Sequence, residues 1–291
     1  MLKTRENVVV FTQIHARPAP NACIQLLRQV YSTVFQNIHF SLSVYYTSLF
    51  GDSVMRCGTV ATSIFFCVFC AASESPDQSD EQILTVEQAN ELVVANSDFL
   101  FLAGPTSITP EVADALAKHG GLLSLHDLQS ITPDVAKALV KHADWLLLDG
   151  VTSINSEVAE VLSQHKSWLS LNGLTSLSPE VAVALAKHEG WLHLNGVDSL
   201  SLEVAQAFEA HEDWLSLNGV RSLSTEVAES LAKHAGLSLS LDGLSSITPD
   251  VAKALVKHKG FLMLHGLQSI DSETVAILKS NPDIEFEVEE R

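Results

Sequence analysis

The sequence predicts an α/β solenoid with a parallel β-sheet on one face and short α-helices on the other. A tract such as WLHLNGVDSLSLEVAQAFEAHED (Trp191 to Asp213) recurs, with variations, from about Ser97 to Arg291. Its serine column, Ser107, Ser130, Ser153, Ser176, Ser199, Ser222, Ser246 and Ser269, is spaced by 23 residues with one step of 24. Each period holds an alternating apolar pair, a turn and a helix start, so the unit is one strand and one helix, which buries its apolar face only by stacking on its neighbours.

Residues 1–54 read as an upstream extension without predicted structure. Met55, Arg56 and the apolar run Thr59 to Ala72 (TVATSIFFCVFCAA) have the layout of a secretory signal: a positive start, an apolar core and small residues for cleavage near Ala72. That run of 14 residues is too short to cross a hydrocarbon core, which needs about 20. A signal stands at the start of a chain, so the expectation is that Met55 is the initiator and the protein is secreted, or placed in the periplasm or cell envelope. Phe66 and Phe69 precede Cys67 and Cys70, where a lipid-attachment signal wants a small residue. Residues 73–84 form a linker, and 85–95 an opening cap helix with Thr85 at its start. The solenoid of about eight repeats then fills 96–291, closed by Ile284–Val288 (IEFEV), a charged edge strand that resists further pairing.

Within a repeat, the pairs Leu146/Leu148, Leu169/Leu171, Leu192/Leu194 and Leu215/Leu217 have the period of two that sends both leucines to one face of a strand. A glycine follows at 104, 150, 173, 196, 219, 243 and 266, with Asp127 in its place in the second repeat, read as a turn needing dihedral freedom. Next come a capping residue and an acid two places on, as in Thr109/Glu111, Ser178/Glu180 and Asp271/Glu273, with Pro110, Pro133, Pro179 and Pro249 at the first helical position. The helices should run about nine residues, place Val181, Ala182, Ala184 and Leu185 in the core, and end on a histidine.

Charge narrows the partners. After residue 72 the chain holds 33 acidic and 12 basic residues, a surface that repels phosphate backbones and anionic headgroups. Nucleic acid and anionic membrane surfaces are therefore excluded as partners. Cys23, Cys57, Cys67 and Cys70 all precede the repeats, which leaves no disulfide framework or thiolate metal site there.

The tract Leu-x-Leu-Asn-Gly-Leu/Val-x-Ser-Leu resembles the leucine-rich-repeat family, in particular bacterial proteins with 23-residue repeats, over about 190 of 291 residues. The resemblance implies a strand-and-helix solenoid. It departs from the family line in placing Asn172, Asn195 and Asn218 directly after the strand and not three places on. The family's asparagine ladder is accordingly not expected, and the serine column is expected to satisfy buried backbone groups between coils in its stead.

Two columns are candidates for a site. Trp145, Trp168, Trp191 and Trp214 precede the core leucine in four successive repeats, and parity turns them outward. They read either as a stacking platform for a glycan or peptide, flanked by Asp149, Asn172, Asn195, Asn218 and Asp242 with His193 beside them, or as packing over the helix ends, where Phe99, Leu122 and Phe261 substitute. His119, His142, His165, His188, His211, His234 and His258 each end a helix, where the negative dipole end favours a cation. Helices on a solenoid's back stand too far apart to converge on a metal ion, so no metal role is assigned. His126, Asp127, His193 and His265 depart locally from the strand pattern. No G-x-S-x-G or phosphate-cradling glycine loop occurs, and the reading is non-catalytic and without cofactor. It is a secreted or periplasmic repeat module that binds a protein or polysaccharide on its sheet face. The alternative is a structural, scaffolding role in the cell envelope; the sequence leaves the oligomeric state open.

Overall fold

A computed structural model describes residues 84–96 and 98–287, and the extension, signal-like segment and most of the linker lie outside them. From Thr85 onward, helices and strands alternate without exception. The helices are α1 (Val86–Ala95), α2 (Pro110–Leu116), α3 (Pro133–Leu139), α4 (Ser156–Leu162), α5 (Pro179–Leu185), α6 (Leu202–Ala207), α7 (Thr225–Leu231), α8 (Pro249–Leu255) and α9 (Ser272–Leu278). The strands are β1 (Phe99–Phe101), β2 (Leu122–Ser124), β3 (Leu146–Leu147), β4 (Leu169–Ser170), β5 (Leu192–His193), β6 (Trp214–Ser216), β7 (Ser238–Ser240), β8 (Phe261–Met263) and β9 (Ile284–Glu285). The strands form one nine-stranded sheet in sequence order, every pairing parallel. This is an α/β solenoid of leucine-rich-repeat type, with one coil per period of about 23 residues.

Register follows the leucines. Leu146, Leu169, Leu192 and Leu215 pair in succession, and Leu215 then pairs with Leu239. That step of 24 absorbs its extra residue ahead of β7, because Trp214 pairs with Ser238 and Leu237 is pushed out to 67% exposure. Leu146, Leu148, Leu169, Leu171, Leu192, Leu194, Leu215 and Leu217 are all fully buried, each worth roughly 1.5–3 kcal/mol of hydrophobic stabilisation. Val181, Ala182, Ala184 and Leu185 face them from α5, and the same four columns recur along the other coils.

Each repeat helix starts where its sequence says. The side chains of Thr109, Thr132, Asn155, Ser178, Ser201, Ser224, Thr248 and Asp271 accept the amide hydrogen three residues on, and Thr85 and Gln88 form a reciprocal capping box on α1. Amide and hydroxyl donors at the helix starts hold Glu180, Glu203 and Glu226 below the ordinary carboxylate range. The repeat helices are seven residues long, six in α6, and not about nine. Their last turn tightens: the amides of Lys118 and His119 bond carbonyls three residues back, which draws the chain inward before the next strand.

Six of the seven turn glycines serve a purpose other than dihedral freedom. Gly104 has a left-handed φ of 107°, but at Gly150, Gly173, Gly196, Gly219, Gly243 and Gly266 the constraint is contact. A Cβ on Gly196 would run into the backbone carbonyl oxygens of Asn172 and Leu174 in the preceding coil, and the same collision recurs at the equivalent glycines. The absence of a side chain there is what lets adjacent coils close on one another.

Candidate binding face and the two aromatic columns

The outward side of the sheet is built from three positions per coil. The first holds Trp145, Trp168, Trp191 and Trp214, all half-buried. Their rings form a herringbone, with centroids 4.8, 5.9 and 5.1 Å apart and planes tilted by 57°, 55° and 51°. Aromatic pairs prefer such tilted contacts because the positive edge of one ring meets the negative face of the next. The second position holds Ser170, His193, Ser216 and Ser240, which point away from the core yet are at most 5% exposed. His193 lies 4.6 Å from Trp168 and 6.4 Å from Trp214, so the indoles lie across the sheet and meet mid-strand neighbours. Burial there pushes the His193 imidazole down to about 4, leaving it neutral at pH 7. At the amino-terminal end the same two positions are Phe99 and Phe101, 58% and 49% exposed.

The third position is a ladder. Asn172, Asn195, Asn218, Asp242 and His265 each donate a backbone N–H to the side-chain oxygen of the residue one coil earlier, Asp149, Asn172, Asn195, Asn218 and Asp242, at 3.1, 2.8, 2.9, 2.9 and 2.8 Å. The hydroxyls of Ser170, Ser216 and Ser240 donate to Asp149, Asn195 and Asn218 from the adjacent strand position. The expectation that this chain lacks an asparagine ladder is thus overturned, and so is the role given to the serine column. Ser107 through Ser269 are all exposed, and Ser199 bonds only to Asp198 at 2.9 Å. The ladder forms because the turn brings each side-chain oxygen against the next coil's amide, wherever the residue falls in a family line.

Both ends of the ladder carry local departures. In the first two coils Ala103 and His126 occupy its position, and Asp127 instead accepts from the Gly104 amide at 2.7 Å. At the other end His265 sits between Asp242, at 3.1 Å, and Glu285, at 3.7 Å. The hydrogen bond with Asp242 holds His265 above the ordinary range; burial opposes the charge on Asp242, but bonds from His265 and Ser240 keep its carboxyl low.

The histidine column is core. His119, His142, His165, His188, His211, His234 and His258 are each no more than 3% exposed. Their rings pack in two stacks, His119 to His188 with centroids 6.0–6.4 Å apart and His211 to His258 at 5.7 Å. Between the stacks, the fifth coil, β5 with α6, is the one whose helix shortens and continues as a 3-10 turn at Phe208–Ala210. His188 Nε2 donates to the Ser167 carbonyl of the preceding coil at 2.9 Å, whereas neither ring nitrogen of His142, His211, His234 or His258 makes a protein hydrogen bond. Desolvation, reinforced by neighbouring imidazoles, pushes His188 down to about 4 and His234 to about 3, and burial lowers His142, His165, His211 and His258 as well. The helix-end dipole was expected to favour a cation in this column. Desolvation outweighs it, and the shifted rings are neutral at pH 7.

Among the described residues no three His, Cys, Asp or Glu side chains converge to hold a metal ion. Nor is any described helix long and apolar enough to cross a membrane. An open cleft at the helix ends is lined by Glu229, Lys233, Lys257 and Lys259 beside His234.

The coils define the class of the molecule, a repeat solenoid of leucine-rich-repeat type. Among solved structures the chain is similar to a leucine-rich-repeat protein of Leptospira interrogans, at 20% identity over 71% of this chain with a TM-score of 0.44, and spans 51% of that protein's length. No protein-family model and no curated protein matches it.

Proposed function

We propose that this repeat module is a non-catalytic recognition protein that takes a protein or polysaccharide ligand on the outward face of its sheet. The observation that carries the reading is the herringbone of Trp145, Trp168, Trp191 and Trp214, with exposed Phe99 and Phe101 beyond the Leu122 coil toward the amino terminus. Half-buried indoles in mutual contact are held in fixed orientation, so a ligand that stacks on them orders few side chains on binding. The polar groups of the face are engaged in structure: its one deeply buried imidazole, His193, is neutral and faces tryptophans, and the hydroxyls of Ser170, Ser216 and Ser240 bond to the ladder oxygens. The signal-like segment at 55–72 supports placing the module outside the cytoplasm, as a secreted, periplasmic or envelope protein.

Tryptophan emission tests the reading directly. Neutral acrylamide should quench the four indoles well and iodide less, because the acidic exterior repels the anion. Addition of soluble polysaccharides and of candidate partner proteins should shift the emission for the true ligand class. Protected tryptophans with no response to any ligand would leave the envelope scaffold as the better reading.

A further inference from the structure

The charges of the solenoid are segregated by face. Nine strand tracts run from the residue before the outward aromatic position to the turn: 98–104, 121–127, 144–150, 167–173, 190–196, 213–219, 237–243, 260–266 and 283–287. Together they contain nine acidic residues and neither lysine nor arginine. Every described lysine, and Arg221, lies on a helix or a connection instead. The titratable cations on the strand side are His126, His193 and His265; His193 is buried and His265 is already set between Asp242 and Glu285. Within this strip Asp144 immediately precedes Trp145 and Asp213 immediately precedes Trp214, so carboxylates bracket the tryptophan run at both ends.

The geometry points to the occupant of the face: an extended, arginine-rich peptide segment of a partner protein, its guanidinium groups stacked on Trp145, Trp168, Trp191 and Trp214. This rests on the sheet-face reading above and adds the chemistry of the partner. An indole face attracts a cation through its quadrupole, more strongly than any other side-chain ring, and a planar guanidinium stacks where an ammonium cannot. The carboxylates toward the ends of the run, with no lysine or arginine inside the strand tracts, draw the same charge from a distance and repel anionic ligands. Length agrees as well. Four coils span on the order of 15 Å, and same-side residues of an extended peptide repeat every ~6.6 Å, so three alternate arginines match the run.

The probes are the capped pentapeptides Arg-Ser-Arg-Ser-Arg, Gln-Ser-Gln-Ser-Gln and Glu-Ser-Glu-Ser-Glu, titrated by calorimetry and by tryptophan emission at low and high salt. The arginine peptide should bind, shift the emission and weaken with salt, and the other two should do neither. The double variant Asp144→Asn with Asp149→Asn removes the two charges of the strand tract that carries Trp145 and retains an amide oxygen to accept from Trp145 N and Asn172 N. It should lower the affinity about fivefold. The pair Glu157→Gln with Glu180→Gln, two exposed acids at helix starts on the other side, should leave affinity unchanged. Equal weakening by both pairs would show indifferent attraction to an acidic protein and overturn the inference. A response to the glutamine peptide or to a neutral polysaccharide, with none to the arginine peptide, would overturn the cationic partner while keeping the sheet face as the binding surface. Silence of the emission toward every probe would count against both.

Discussion

Trp145 to Trp214 and His119 to His258 supply one aromatic ring per coil with the same period, within a few residues of each other in every repeat, yet the first column is half-buried and the second wholly buried. The tryptophan stands at an outward strand position and keeps one side toward water. The histidine stands where the tightened end of the helix folds in toward the strand, and seven imidazoles fill the space between neighbouring coils. An aromatic ladder in a repeat sequence is therefore not in itself a surface. Which side of the chain the repeat turns outward decides whether it meets solvent or becomes core.

Acid should separate the two columns with the largest effect. The unfolded chain protonates His234 below about 6.5 while the folded ring resists until about 3, so stability is full above pH 6.5 and falls as the pH drops through that window. At about 1.4 kcal/mol per unit, His234 and His188, which are lowered by burial and by neighbouring imidazoles, together account for a loss on the order of a few kcal/mol across that window. Urea midpoints taken at steps between pH 7 and pH 4 should fall steeply. His234→Leu, which breaks no hydrogen bond, should fold at pH 7 and flatten the decline; an unflattened curve would place the acid sensitivity elsewhere. A smaller loss is expected at the ladder. Asn195→Ala strips the acceptor from Asn218 N and Ser216 Oγ and should cost about 1–3 kcal/mol in a denaturant titration. The smallest effect belongs to Ser199→Ala, an exposed position, which should leave the melting midpoint within the equivalent of about 0.5 kcal/mol. A large loss there would restore the serine column as a structural element.

How far the sequence could be read depends on how far apart the interacting groups are. The caps at Thr109, Ser178 and Ser224 were legible because the cap oxygen and its amide are three residues apart. The register of Leu146, Leu169, Leu192 and Leu215 was legible because the period itself sets it. The asparagine ladder was missed because its bonds join residues 23 or 24 apart, and the family line gave the wrong offset for the turn. Turn glycines such as Gly196 were found for the wrong reason, since the colliding carbonyl belongs to the preceding coil. The sequence displays the helix end that carries each histidine, whereas the neighbouring coils that desolvate it are distant in sequence.

By itself, then, the sequence determined the coil: its period, its strand parity, its helix starts and the acid-rich balance of its surface, all properties of a single repeat or of composition. Only the tertiary structure decided what lies between coils. It turned one aromatic column into a herringbone on the sheet and the other into neutral core, and made the residues after each strand into a ladder. Those outcomes depend on which groups stacking brings within a few ångströms, and a chain read one repeat at a time does not contain that distance.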